Sequence, residues 1–101
     1  MSGPSETLRE DLTASAFEPH VGEAFTLWRD ASTVALTLDA AERMHGSDAS
    51  FVLTFRTPEP LGQGTYPVEH PDVGRMALFL VPIAQDAQGM TVEAVFNRTV
   101  R

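Results

Sequence analysis

The stretch "MALFLVPI", residues 76–83, is the most water-averse part of this chain, and its reading decides the fold. A half-buried strand alternates apolar and polar side chains, so one face turns to the core and the other to water. Here Met76, Leu78 and Leu80 point one way while Ala77, Phe79, Val81 and Ile83 point the other, and both sets are apolar. The apolar run continues only to Ala84, about half of the ~20 residues a membrane-spanning helix requires. A strand apolar on both faces is either central, with the N-terminal helix and its Phe17 or another layer over the second face, or it meets a second chain.

Working outward, residues 61–83 read as the central hairpin of a β protein. Pro71-Asp72 suits the two middle positions of a type I turn, and Gly74 is placed to adopt the left-handed conformation that realigns the return strand. "QDAQG" at 85–89 repeats this logic before "MTVEAVFN", where Val92, Ala94 and Phe96 share a face. Upstream, Phe25 and Leu27 alternate with Thr26 and Trp28; "RDAS" at 29–32 turns the chain; Val34, Leu36, Leu38 and Ala40 share a face. Phe51, Leu53 and Phe55 form another apolar row, ended by Pro58 and Pro60, which cannot donate to a ladder. Before these strands, "LTASAFEPH" suits one or two helical turns, with Thr13 as N-cap and Phe17 pointing inward. The expectation is a mainly β fold: a small antiparallel β-sandwich or barrel of five to seven strands with a short N-terminal helix.

Size permits one domain, expected over residues 12–101 behind a flexible acidic tail at 1–11. No cysteine is present, which excludes disulfides and thiolate metal sites. All seven basic residues are arginine, so lysine chemistry such as a Schiff base or a phosphate-loop lysine is also excluded. Those arginines are scattered singly along a chain of net charge −7, which argues against nucleic-acid binding. The opening "MSGPSETLREDL" has no signal-peptide core, and the expected setting is the cytoplasm, away from membranes.

"GTY", "EHP", Gly74, "LFLVP" and "EAVFN", in this order, resemble the bacterial domain-of-unknown-function family numbered 6916. Leu12, Thr13, Phe17, Val21, Gly22, Phe25 and Leu27 fit the same family, so the resemblance covers roughly residues 12–97. Val92 departs from a tyrosine usual there. The resemblance implies no chemistry. It implies stand-alone small domains encoded near phage-tail-collar-like proteins, and hence an assembly partner.

No constellation in the sequence asks for a catalytic role. His20, His45 and His70 lack the spacing that groups metal ligands locally, so neither a metal nor another cofactor is expected. Glu69-His70-Pro71-Asp72 places neighbouring side chains on opposite strand faces, and "HGSD" at 45–48 is a loop that cannot orient a nucleophilic triad. Glu93 is expected to pair across the sheet with Arg75 or Arg56. The first reading is a non-enzymatic interaction or assembly module, engaging a protein partner or a second copy through Trp28, Met76, Leu78 and Leu80. The alternatives are a small-molecule-binding barrel or minor enzyme with a pocket near Tyr66, His70 and Glu93, and an adaptor that receives a partner's strand at Phe25–Trp28 or Thr91–Asn97.

Overall fold

The computed structural model describes residues 12–97, so the expected acidic tail lies outside the described residues. The chain enters through a single turn of helix, α1 (Ala14–Phe17), continued by a 3₁₀ turn over Glu18–His20. Six strands follow: β1 (Ala24–Arg29), β2 (Ser32–Arg43), β3 (Ser50–Thr57), β4 (Gly64–His70), β5 (Gly74–Asp86) and β6 (Gly89–Asn97). They close into an antiparallel barrel in the order β1-β2-β3-β6-β5-β4, with β1 meeting β4 at the seam. The expected mainly β fold with a short N-terminal helix is thus a six-stranded barrel.

Alternation decides what fills the barrel. Phe25 and Leu27, then Val34, Leu36 and Leu38, then Phe51, Leu53 and Phe55 are buried row by row, as their period-two spacing requires. Register shifts at Leu38/Ala40 and Pro82/Ala84 bend the long strands β2 and β5, the curvature that closure needs. The turns form where their chemistry allows. Gly74 takes φ 106° after the β4–β5 turn, and Gly89 takes φ 150° where a Cβ would overlap the Thr57 carbonyl.

Both barrel ends are plugged. At one end Phe17 inserts between Phe25, Phe51 and Phe96, with ring centroids 6.1, 5.9 and 6.3 Å away. A four-residue helix cannot hold itself together in water, so its free N–H groups need partners from elsewhere. Thr13 occupies the N-cap but makes no side-chain cap bond. Asp48, on the β2–β3 loop, does the capping instead. Its backbone oxygen accepts from Ala14 N–H at 3.0 Å and its Oδ1 from Ser15 N–H at 2.8 Å. Arg43 ties the assembly together, with Glu18 at 2.8 Å and Asp48 at 3.4 Å. The guanidinium of Arg43 holds the Glu18 carboxyl below its usual range.

At the other end the segment after β3 folds over the mouth. Leu61 is buried and its N–H donates to Met90 Sδ at 3.3 Å. Arg29 Nη1 donates to the Pro60 carbonyl and the Tyr66 hydroxyl to the Gly62 carbonyl.

The two-faced strand of the sequence has its inner face inside the barrel. Met76, Leu78 and Leu80 are at most 1% exposed and form part of the core, so they offer no docking surface. The face left to water is the other one, where Phe79 and Ile83 are about half exposed beside Val95 of β6. Arg75 has the parity of Ala77 and Phe79, and its charge belongs outside. Phe17 covers the end of the core rather than the flank of this strand.

Candidate functional site

Five of the six strand junctions run over five to eight registered pairs; the seam between β1 and β4 has two, Thr26↔Glu69 and Leu27↔Val68. Continuing that register would pair Trp28 with Pro67, Arg29 with Tyr66 and Asp30 with Thr65. Those six residues line an open groove of about 470 Å³. The groove is therefore the part of the seam that does not zip.

The cause lies in one residue. Arg29↔Ser32 closes the two-residue turn Asp30-Ala31, where Asp30 has φ 52°, so the hydrogen bonds of Arg29 face β2. The bond from Leu38 N–H to the Glu23 carbonyl, at 3.0 Å, follows the same odd-numbered parity. Even-numbered Thr26 and Trp28 consequently turn their N–H and C=O toward β4. Thr26 meets Glu69 there, and Trp28 would meet Pro67, which has no N–H to give. The ladder stops at the first position where it asks a proline to donate.

The lining has the residue types that carry binding energy in protein interfaces: Trp, Arg and Tyr. Trp28 is 40% exposed, and its indole N–H donates to Glu69 Oε1 at 2.9 Å, which fixes the ring at the rim. Glu69 also receives Arg75 at 3.4 Å. Arg29 keeps a loose ion pair with Glu59 at 3.8 Å. Arg29 and Tyr66 have the inward parity of their strands and reach the barrel mouth, whereas Trp28, Thr65 and Pro67 stand on the outside.

A second cluster sits at the helix end of the barrel. His20, from the 3₁₀ turn, and His70, from the end of β4, both reach Glu23 Oε1, each at 2.8 Å. The two rings are 4.5 Å apart, and His70 packs on Phe25 at 4.6 Å. The bonds from His20 and then His70 hold the Glu23 carboxyl below its usual range. Spacing along the chain did not bring these residues together; the fold did. Two imidazoles and a carboxylate with ligand atoms within 4.8 Å of one another are a donor set that zinc accepts.

The hydrogen bonding of His70 opposes that use. Its Nδ1 accepts from Asp72 N–H at 3.0 Å and Val73 N–H at 3.4 Å. The ring proton is therefore on Nε2, where it donates to Glu23. A metal on Nε2 would send that proton to Nδ1, against two N–H donors, whereas metal-bound histidine ordinarily donates from its other nitrogen to an acceptor. The arrangement ties the β4–β5 turn to the segment after the helix.

The other residues singled out by sequence are spread apart. Tyr66 stands at one barrel end, His70 at the other, and Glu93 has outward parity on β6, so these three do not share a pocket. Arg75 reaches Glu69, and Arg56 reaches Thr91 at 3.0 Å and Asp86 at 3.5 Å, in place of the expected bridge to Glu93. In the "HGSD" loop Ser47 Oγ accepts from Ala49 and Ser50 N–H while Asp48 caps the helix, which places both in structural bonds. Of the two strands considered as receiving edges, β6 is paired with β3 along its full length. At β1 the registered pairs with β4 end at Leu27, and Trp28 and Arg29 lie beyond them.

Residues 12–96 match a family described as a domain of unknown function, DUF6916. The chain belongs to this family. No curated protein and no solved structure matches it. Membership extends over β1 and β4 and so takes in the whole groove, without assigning it chemistry. Among the described residues no helix is long and apolar enough to cross a membrane.

Proposed function

We propose that the protein is a docking module without catalytic activity, which receives an extended segment of a partner protein in the open β1–β4 seam. The observation that carries this reading is the coincidence of the groove lining with the three pairs the seam fails to make. Beyond the Leu27↔Val68 pair the Trp28 carbonyl faces a proline that cannot donate to it, and an extended segment lying along the groove is what supplies such a donor. Size agrees. Three residues of extended chain, at ~3.4 Å rise, ~4.8 Å lateral spacing and ~10 Å layer thickness, fill roughly 490 Å³. The groove holds about 470 Å³.

This reading moves the interaction surface from Met76, Leu78 and Leu80 to Trp28 and its neighbours across the seam. An assembly role of the kind the family resemblance suggests is met by a short extended segment of a larger protein. The test is selection of a displayed random heptapeptide library on the whole protein, with binding followed by the emission of Trp28, the sole tryptophan. Selected peptides are expected to change that emission and to lose affinity for the Trp28→Ala variant. A library that yields no binder, or binders indifferent to Trp28, refutes the proposal.

A further inference from the structure

We infer that the outer face of β5 and β6 is a second docking surface, which takes an arginine of a partner protein onto Glu93 with apolar side chains around it. Different residues carry it, and it stands apart from the groove.

The registered pairs map this face. Glu93 of β6 lies opposite Val81 of β5 on one side and Thr54 of β3 on the other. The next outward residues on the two strands are Phe79 and Val95, and Val52 of β3 is paired with Val95. In the other direction the register shift between Pro82 and Ala84 leaves Ile83 as the extra residue, beside the Ala84↔Thr91 pair. A carboxylate thus stands within an apolar field in which Phe79, Ile83 and Val95 are each about half exposed. Single exposed apolar residues are ordinary; large ones gathered on one sheet face mark a contact surface.

Charge says what the face takes. Glu93 is half-buried, yet among the described residues it makes no hydrogen bond and no ion pair. Arg56, diagonal to it on β3, instead reaches Thr91 at 3.0 Å and Asp86 at 3.5 Å. A carboxylate that gives up part of its hydration and receives no partner does not stabilise the fold. A cation from another molecule offsets that loss, and the apolar neighbours exclude water from the pair as it forms. Arginine suits the site better than lysine. Its fork donates two bonds to one carboxylate, and its flat face can lie on the Phe79 ring, which is within diagonal reach of Glu93. A second copy of this chain is a poor complement. Arg29, Arg43, Arg56 and Arg75 each lie against a carboxylate of their own molecule, and two chains of net charge −7 repel.

The test selects displayed helical miniproteins, randomised on one face, on the whole protein, and discards clones that still bind Phe79→Asp. The remaining clones are expected to carry an arginine among apolar residues and to bind Trp28→Ala as tightly as wild type. Their affinity should fall roughly tenfold on Glu93→Gln, the loss of one partly exposed charge-assisted bond. Glu93→Gln should not lower Tm, since the carboxylate has no partner to lose. A lower Tm in that variant would show that Glu93 serves the fold and overturns the inference. So does a library without Phe79-dependent clones, clones whose arginine is dispensable, or equal affinity for Glu93→Gln. Dimers seen by light scattering and abolished in Phe79→Asp would make a second copy the occupant and overturn it too. None of these outcomes touches the groove, whose reading fails separately if no binder depends on Trp28.

Discussion

If Pro67 is what holds the seam open, Pro67→Val should close it. Valine at this position offers the Trp28 carbonyl the N–H that proline lacks, adding one hydrogen bond to the ladder. That bond is worth about 1 kcal/mol net. A β-branched residue in a strand adds up to ~1 kcal/mol, while loss of the proline's restraint on the unfolded chain costs about 0.4–1 kcal/mol. The variant should therefore be more stable by up to about 1.5 kcal/mol. In a domain of this size each kcal/mol raises Tm by roughly 4–8 °C.

Three measurements follow the change. Thermal unfolding by circular dichroism reads the stability. Amide exchange at position 67 of the variant reads the new bond, slowed about tenfold for each ~1.4 kcal/mol of closing free energy. Peptide binding reads the groove, and it should fall because the variant's own strand now occupies the edge. Pro67→Thr, which also restores the N–H, guards against an idiosyncratic failure of the valine variant. Unprotected exchange at position 67 in both variants, with peptides still bound, would refute the claim that a missing donor opens the seam.

Leu78→Asp and Phe79→Asp are adjacent on β5 but face opposite ways. The first removes a fully packed side chain and buries a carboxyl, so it should cost about 4 kcal/mol or more; the second should cost about 1 kcal/mol or less. Equal costs in urea titrations would mean the inner and outer faces have been assigned wrongly. The Glu23 carboxyl, held below its ordinary 4.5 by His20 and His70, stabilises the fold above that pH and loses the contribution as pH falls through its lower folded value. The stability difference between wild type and Glu23→Gln should accordingly be largest above pH 4.5 and shrink in more acidic solution; a difference that does not change with pH contradicts the bond assignment. Zinc should leave the unfolding temperature where it is, since the tautomer of His70 is wrong for a ligand. A rise in Tm with zinc concentration, lost in His70→Asn, would show that the Asp72 bond yields to the metal.

The strands were legible because their period is two and their turns carry the residues turns need; "RDAS", "HPDVG" and "QDAQG" close hairpins where the sequence puts them. The choice between sandwich and barrel was not legible, because closure depends on the bends at Leu38/Ala40 and Pro82/Ala84. The faces of residues 76–83 were ambiguous within the stretch itself, where every side chain is apolar. One residue upstream the answer was available: Arg75 has the parity of Ala77 and Phe79, and a charged side chain marks the outside. The joining of His20, Glu23 and His70 had no local signal, since about fifty residues separate its ends. Asp48 as helix cap was hidden for the same reason.

The groove was marked in the sequence by a broken rule. A proline inside a strand is tolerated where its missing N–H faces no partner, so Pro67 between Tyr66 and Val68 pointed to an edge. In a closed barrel an edge can persist only as a local gap, and the gap must open on the side the proline faces. That side is β1, at the position of the chain's single tryptophan, held at the rim by Glu69. A valine would satisfy the alternation of β4 and zip the seam, with greater stability and no groove. That the chain keeps proline where a donor would stabilise it fits a site left open for a partner. Violations of local folding rules tend to collect at functional positions, where stability is exchanged for access. Under the docking proposal, Pro67 is a violation of this kind, because it withholds a donor from the Trp28 carbonyl at the edge of the groove.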